Sequence, residues 1–110
     1  MRRKRLREPW RTFFEALDRE LSASCDLHCF GGFVLTEHYG VARSTIDVDV
    51  VDVRGADIAD IARRAGRGSP LHRSHRAYVD VVTIAEIPDD YESRLIDMKV
   101  GGLTHLRLLA

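Results

Sequence analysis

The chain has 110 residues, 45% hydrophobic and 31% charged, with three prolines, which is enough for one hydrophobic core and too little for a second. That composition argues against extended disorder, and no unbroken apolar run reaches the roughly 20 residues that a membrane span needs. Seventeen basic residues balance seventeen acidic ones, so any attraction to nucleic acid must be local.

Residues 1–8 read as a basic, disordered leader, with a grip on RNA phosphates as the alternative. Because an amphipathic pattern follows it, and not the apolar core of a secretion signal, we expect a cytoplasmic protein. Residues 9–110 read as the folded domain. Trp10, Phe13, Phe14, Leu17 and Leu21 recur at helical spacing and predict a helix over Pro9 to Leu21. Residues Cys25 to Phe30 predict a short strand, on which Cys25 and Cys29 stand roughly 13 Å apart, too far for a disulfide or a shared metal. Both are read as buried thiols in a reducing compartment. Gly31-Gly32 then interrupt the chain before a short apolar helix from Phe33 to Tyr39, closed by Gly40.

Thr45 to Val53 alternates, with Ile46, Val48 and Val50 on one face and Asp47 and Asp49 on the other, as in a half-buried strand. Strict alternation puts Asp52 on the face away from Asp47 and Asp49. Ile58, Ile61, Ala62 and Ala65 form a helical stripe ended by Gly66, and Gly66 to Pro70 reads as a loop. His72-Arg73-Ser74-His75, near Arg67 and Arg76, is placed in that loop region and read mainly as surface, because a metal site there lacks a third ligand. Ala77 to Ile84 predicts a strand with Tyr78, Asp80 and Val82 on one face. Pro88-Asp89-Asp90 turns the chain, Tyr91 to Arg94 reads as a short helix or loop, and Leu103 to Leu109 as a last strand. The apolar end Leu108-Leu109-Ala110 lacks a polar cap, so we expect a truncated chain or a partner that covers the strand.

Residues two apart on a strand lie roughly 7 Å apart on the same side, so Asp47 and Asp49 can lean toward one divalent cation. Taken alone, an Asp-x-Asp strand is more often a solvated face. Three features count toward a site: Asp80 at the same phase of another strand, Gly31-Gly32 at a strand-to-helix junction where backbone N–H groups can approach phosphate, and Arg43, Ser44 and Thr45 just before the acidic strand. His38-Tyr39 on the same short helix could touch a nucleotide, but helix packing explains it as well. No Walker, dinucleotide or nucleophile motif is present, which leaves hydrolase and dehydrogenase readings without support.

The ordered series from Gly31-Gly32 through Arg43-Ser44-Thr45 to Asp47-Val48-Asp49 resembles the polymerase-β-like nucleotidyltransferase superfamily. Its signature is Gly-Gly or Gly-Ser on a short helix followed by Asp-x-Asp on the next strand. The series is most similar to small bacterial proteins of the AbiEii and minimal-nucleotidyltransferase kind, where an Arg-x-Thr or Arg-x-Ser step precedes Asp-x-Asp. Those often belong to toxin–antitoxin or phage-defence pairs. Phe30 to Val53 carries the likeness, which extends to Val82 and fades elsewhere.

The resemblance implies an α/β (α+β) fold, a small mixed sheet flanked by helices. It implies Asp47, Asp49 and Asp80 as catalytic carboxylates that bind two Mg²⁺ ions, with Asp80 helping to deprotonate an acceptor hydroxyl. Gly31 and Gly32 would cradle phosphates. The triphosphate contact of Arg43 is read from its position and charge. The partners implied are a nucleoside triphosphate and either a cognate protein of a toxin–antitoxin pair or an RNA 3′ end, and a homodimer is also compatible. Larger relatives continue into helices that help hold nucleotide and acceptor. The competing expectation is a catalytically silent antitoxin or interaction module on the same fold.

Overall fold

A computed structural model describes residues 6–31, 33–34, 47–82 and 89–109. The first helix, α1 (Trp10–Glu20), turns Trp10, Phe13, Phe14, Ala16 and Leu17 inward, as the apolar spacing predicts. Leu6, which the sequence places in the leader, is already part of the core. After β1 (Cys25–Phe30), Gly31 starts a turn, and Phe33 and Val34 are helical and buried. The Trp10 and Phe33 rings meet edge to face at 5.3 Å, which holds the segment after the glycine against α1. The remainder of the expected short helix, with His38-Tyr39, lies outside the described residues.

The acidic strand β2 (Asp47–Arg54) leads into α2 (Ile58–Ala65), where the Asp57 side chain accepts from the Ala59 N–H at 2.8 Å and caps the helix start. The next segment differs from expectation. Pro70 to His75 is a helix, α3, not a loop: Ser69 caps it by accepting from the His72 N–H at 3.2 Å, and Pro70 stands in the first turn, where a missing N–H costs nothing. It delivers the chain to β3 (Tyr78–Val81). A 3₁₀ turn (Tyr91–Arg94) precedes β4 (Leu95–Val100), a strand the sequence reading leaves unassigned, and β5 (Thr104–Leu109) ends the sheet.

The result is the expected α/β class: one five-stranded mixed sheet in the order β3-β2-β1-β5-β4, flanked by helices. β1 runs antiparallel to β2 and parallel to β5, β2 runs parallel to β3, and β4 and β5 are antiparallel. The strand Thr104–Leu109 is paired on both edges, with Leu106 and Leu108 fully buried. Leu27, Cys29, Val48, Val50, Val53, Val79, Leu106 and Leu108 form one core with the inward faces of the helices. The opposite face, carrying Asp26, His28, Asp47, Asp49, Asp80 and Arg107, is polar. No helix among the described residues is long and apolar enough to cross a membrane. Both cysteines are free and buried, and burial raises the Cys25 thiol to about 11.

One aspartate ties the helix layer to the sheet. Asp18, at the end of α1, accepts from the backbone N–H groups of Gly102, Leu103 and Thr104 and from the Thr104 hydroxyl, at 2.7 to 3.2 Å. Gly101 turns this β4–β5 connection at φ +64, and a Cβ there would collide with the Asp18 carboxylate. Partial burial works to raise the Asp18 carboxyl, but four donors outweigh it and hold the group below its ordinary 3.8. Because the folded-state value is depressed, the stabilisation is complete above about pH 4 and is lost as pH falls through the folded value. We predict that Asp18→Ala lowers the unfolding free energy at neutral pH by about 2 kcal/mol in urea titrations. The gap between wild type and variant should narrow on acidification below the ordinary aspartate value.

Candidate metal centre

Two adjacent strands build the site. In the parallel ladder of β2 and β3, Asp47 stands beside Tyr78 and Asp49 beside Asp80. Neighbouring residues in a ladder project from the same face, so Asp80 joins the two β2 carboxylates, as its phase in the sequence predicts. One carboxylate oxygen from each of Asp47, Asp49 and Asp80 lies within 4.8 Å of the other two. On the far side of each strand, Val48, Val50 and Val79 are buried, and this anchors the register that sets the aspartates together.

Asp49 is the centre of the cluster. Burial, the charges of Asp47 and Asp80 and a hydrogen bond with Asp47 push its carboxyl up from 3.8 to about 6. An oxygen-only set of three carboxylates can hold a metal ion, and its chemistry suits a hard divalent cation such as Mg²⁺, Mn²⁺ or Ca²⁺ better than a metal that favours sulfur or imidazole.

Gly31 completes the wall of the site. It follows β1 at φ +77, and a Cβ built on it would lie 2.7 Å from Asp49 Oδ2. Glycine is therefore required twice over, for the left-handed backbone and for the space taken by the carboxylate. Gly31 is thus placed against the Asp49 carboxylate. Gly32, Arg43, Ser44 and Thr45, the other expected nucleotide contacts, lie outside the described residues.

Asp52 corrects the sequence reading. His28 pairs with Asp52 and Cys29 with Val50, so Val51 is bulged out and the alternation slips by one residue. Asp52 consequently lies on the same sheet face as Asp47 and Asp49. It is engaged otherwise: Oδ1 accepts from the Val53 N–H at 2.9 Å and Oδ2 from Arg54 Nε at 2.9 Å. Arg54 in turn donates to both Glu92 oxygens, one at 3.1 Å, and so clasps the 3₁₀ turn onto the open face.

Beneath this clasp sits a pair with no strong sequence signal. His28 is only 3% exposed, and its Nδ1 is 3.0 Å from the Tyr91 hydroxyl. Burial, aided by nearby Arg54, lowers the histidine below its ordinary value, and burial and the Asp52 charge raise the tyrosine. Both groups are therefore neutral near pH 7.

Comparison of the chain with protein-family models, curated proteins and solved structures finds no match.

Variant stabilities and Mn²⁺ binding check this geometry. A carboxyl whose folded-state value is raised makes the protein lose stability as pH rises, here between about 4 and about 6. In metal-free buffer near pH 7, Asp49→Asn is expected to stabilise the protein by on the order of 1 kcal/mol, a figure kept small because Asp49 is only partly buried. Millimolar Mn²⁺ should raise the melting temperature of the wild type and leave that of Asp49→Asn almost unchanged. Separately, Gly31→Ala should cost roughly 1–2 kcal/mol from the left-handed backbone and weaken Mn²⁺ binding measured by calorimetry.

Proposed function

We propose that the chain is a divalent-metal-dependent nucleotidyltransferase that moves a nucleotidyl group from a nucleoside triphosphate to a hydroxyl. The observation that carries this reading is the convergence of Asp47, Asp49 and Asp80 from adjacent parallel strands. Gly31, with its bare backbone against Asp49, supports it, as does the sequence resemblance across Phe30 to Val53.

Asp47 and Asp49, two residues apart on one strand, are the residues to hold the metal, with Asp80 as third ligand from the neighbouring strand. A bound Mg²⁺ pair would supply charge neutralisation on the triphosphate and a lowered pKa for the attacking hydroxyl. In the reaction the acceptor oxygen bonds to the α-phosphorus, the bond from that phosphorus to the β-bridging oxygen breaks, and pyrophosphate leaves. The hydroxyl proton passes to Asp80. Gly31, bare of a side chain, leaves the space that the Asp49 carboxylate occupies and so keeps that ligand in place. Arg43, Ser44 and Thr45 are proposed to steady the triphosphate. A toxin–antitoxin or defence setting in the bacterial cytoplasm fits this chemistry.

The test is transfer of label from an α-³²P nucleoside triphosphate in Mg²⁺ to components of a cell lysate. Wild type should label an acceptor, and Asp47→Asn and Asp49→Asn should each lose activity by at least about 100-fold. Label that survives both substitutions contradicts the metal assignment. Absence of labelling by the wild type, together with no Mg²⁺-dependent nucleotide binding, identifies a catalytically silent module.

A further inference from the structure

One charged surface is not used by the site described above. From Ile61 to Val79 the chain carries five arginines and two histidines and no carboxylate, although its overall charge is zero. The first two arginines are compensated, because Arg63 and Arg64 both pair with Asp60. Arg67, Arg73 and Arg76 are exposed, and among the described residues none of them lies within ion-pair distance of a carboxylate. Three guanidinium groups gathered around one turn, with no carboxylate partner among the described residues, repel one another and favour an anion beside them.

The surface is tied to the carboxylates through Tyr78. The Arg67 guanidinium carbon lies 5.9 Å from the centre of the Tyr78 ring, and the His72 ring is 4.6 Å from it. Tyr78 is the ladder neighbour of Asp47 and projects from the same face. A guanidinium resting on an aromatic ring is fixed in place while its N–H fork stays available to phosphate oxygens. His72 Nδ1 accepts from the Gly68 N–H at 2.9 Å and Arg73 donates to the Gly68 carbonyl at 2.9 and 3.2 Å, so the α2–α3 turn is held in shape by its own side chains.

We propose that the α2–α3 turn, with Arg67, Arg73, Arg76 and Tyr78, is a docking surface for the phosphate backbone of a single-stranded nucleic acid whose 3′ end reaches the carboxylate site. Charge complementarity favours a polyanion, and a half-buried aromatic interleaved with arginines favours unpaired over paired strands. The acceptor role rests on the nucleotidyltransferase reading, whereas the binding itself does not. RNA and DNA share the chemistry recognised here, and separate arms of the experiment distinguish them.

The experiment measures fluorescence anisotropy of short mixed-sequence oligonucleotides, one RNA and one DNA, titrated with the full chain in EDTA without nucleotide. The test variant is Arg67→Gln with Arg76→Asn, since asparagine tolerates the left-handed backbone of Arg76 (φ 57), and Tyr78→Leu is tested separately. Arg11→Gln with Arg19→Gln removes the same charge from exposed positions of α1. Unchanged melting temperatures establish that every variant is folded.

We expect the Arg67/Arg76 variant to bind roughly 10-fold more weakly and to lower the salt-dependence slope by about 1.4, as for two lost phosphate contacts on a single strand. Tyr78→Leu should weaken binding with little change of slope, and the α1 control should stay within about twofold of wild type. The tighter-binding arm names the nucleic acid. No binding by wild type below about 100 μM, or an equal loss in the α1 control, overturns the proposal. So does an Arg67/Arg76 variant that binds as wild type while its Michaelis constant for nucleoside triphosphate rises. Asp47→Asn should leave oligonucleotide binding intact, so failure of the surface and failure of the metal site are read independently.

Discussion

Three carboxylates held within 4.8 Å of one another are the constraint on which the rest of the structure turns. Like charges at that distance repel, and the raised proton affinity of Asp49 comes from its partial burial, to which that repulsion adds. What keeps them together is the parallel register that sets Asp49 beside Asp80, and that register is fixed from below. Val48, Val50 and Val79 are buried under the same strands, and slipping β3 by one residue would turn Val79 out of the core. Hydrophobic packing on one face thus enforces an electrostatically unfavourable arrangement on the other. A cation is the economical way to relieve it.

The two faces of the sheet divide the labour. The helix-covered face supplies stability, and Asp18 extends that layer by binding the β4–β5 connection through four donors. The opposite face carries the carboxylate cluster, and Arg54 pins the 3₁₀ turn across it through Asp52 and Glu92. The bulge at Val51 makes this possible, because only the slipped alternation brings Asp52 to the open face. Asp47 and Asp49 lie before the bulge and join the carboxylate cluster with Asp80, while Asp52 lies beyond it and holds a structural arginine. Residues of identical type on one strand are therefore separated in role by a single unpaired residue.

Much of this was legible in the sequence. Strict alternation located β2 and put Asp47 and Asp49 on one face, and the phase of Asp80 anticipated its place beside them. What alternation could not reveal was the bulge, which depends on pairing with β1 and leaves no local mark in Asp-Val-Val-Asp-Val. Asp52 was misplaced for that reason. Helix α3 was hidden because six residues with Leu71 as their one buried side chain are too few to show helical periodicity, although Ser69-Pro70 carries the chemistry of a helix start. In β4, Ile96, Met98 and Val100 alternate with Asp97 and Lys99, but the strand is placed only by its antiparallel partner β5. The His28–Tyr91 pair joins residues 63 apart in the chain, a contact that no window of sequence contains.

Anomalous diffraction from crystals grown with Mn²⁺ and a non-hydrolysable nucleoside triphosphate decides whether the three carboxylates hold a metal beside a nucleotide. Manganese peaks are expected between the carboxylates of Asp47, Asp49 and Asp80, with the triphosphate alongside and Gly31 at the wall of the site. Manganese bound elsewhere, with the three carboxylates uncoordinated in the presence of the nucleotide, would contradict the metal assignment.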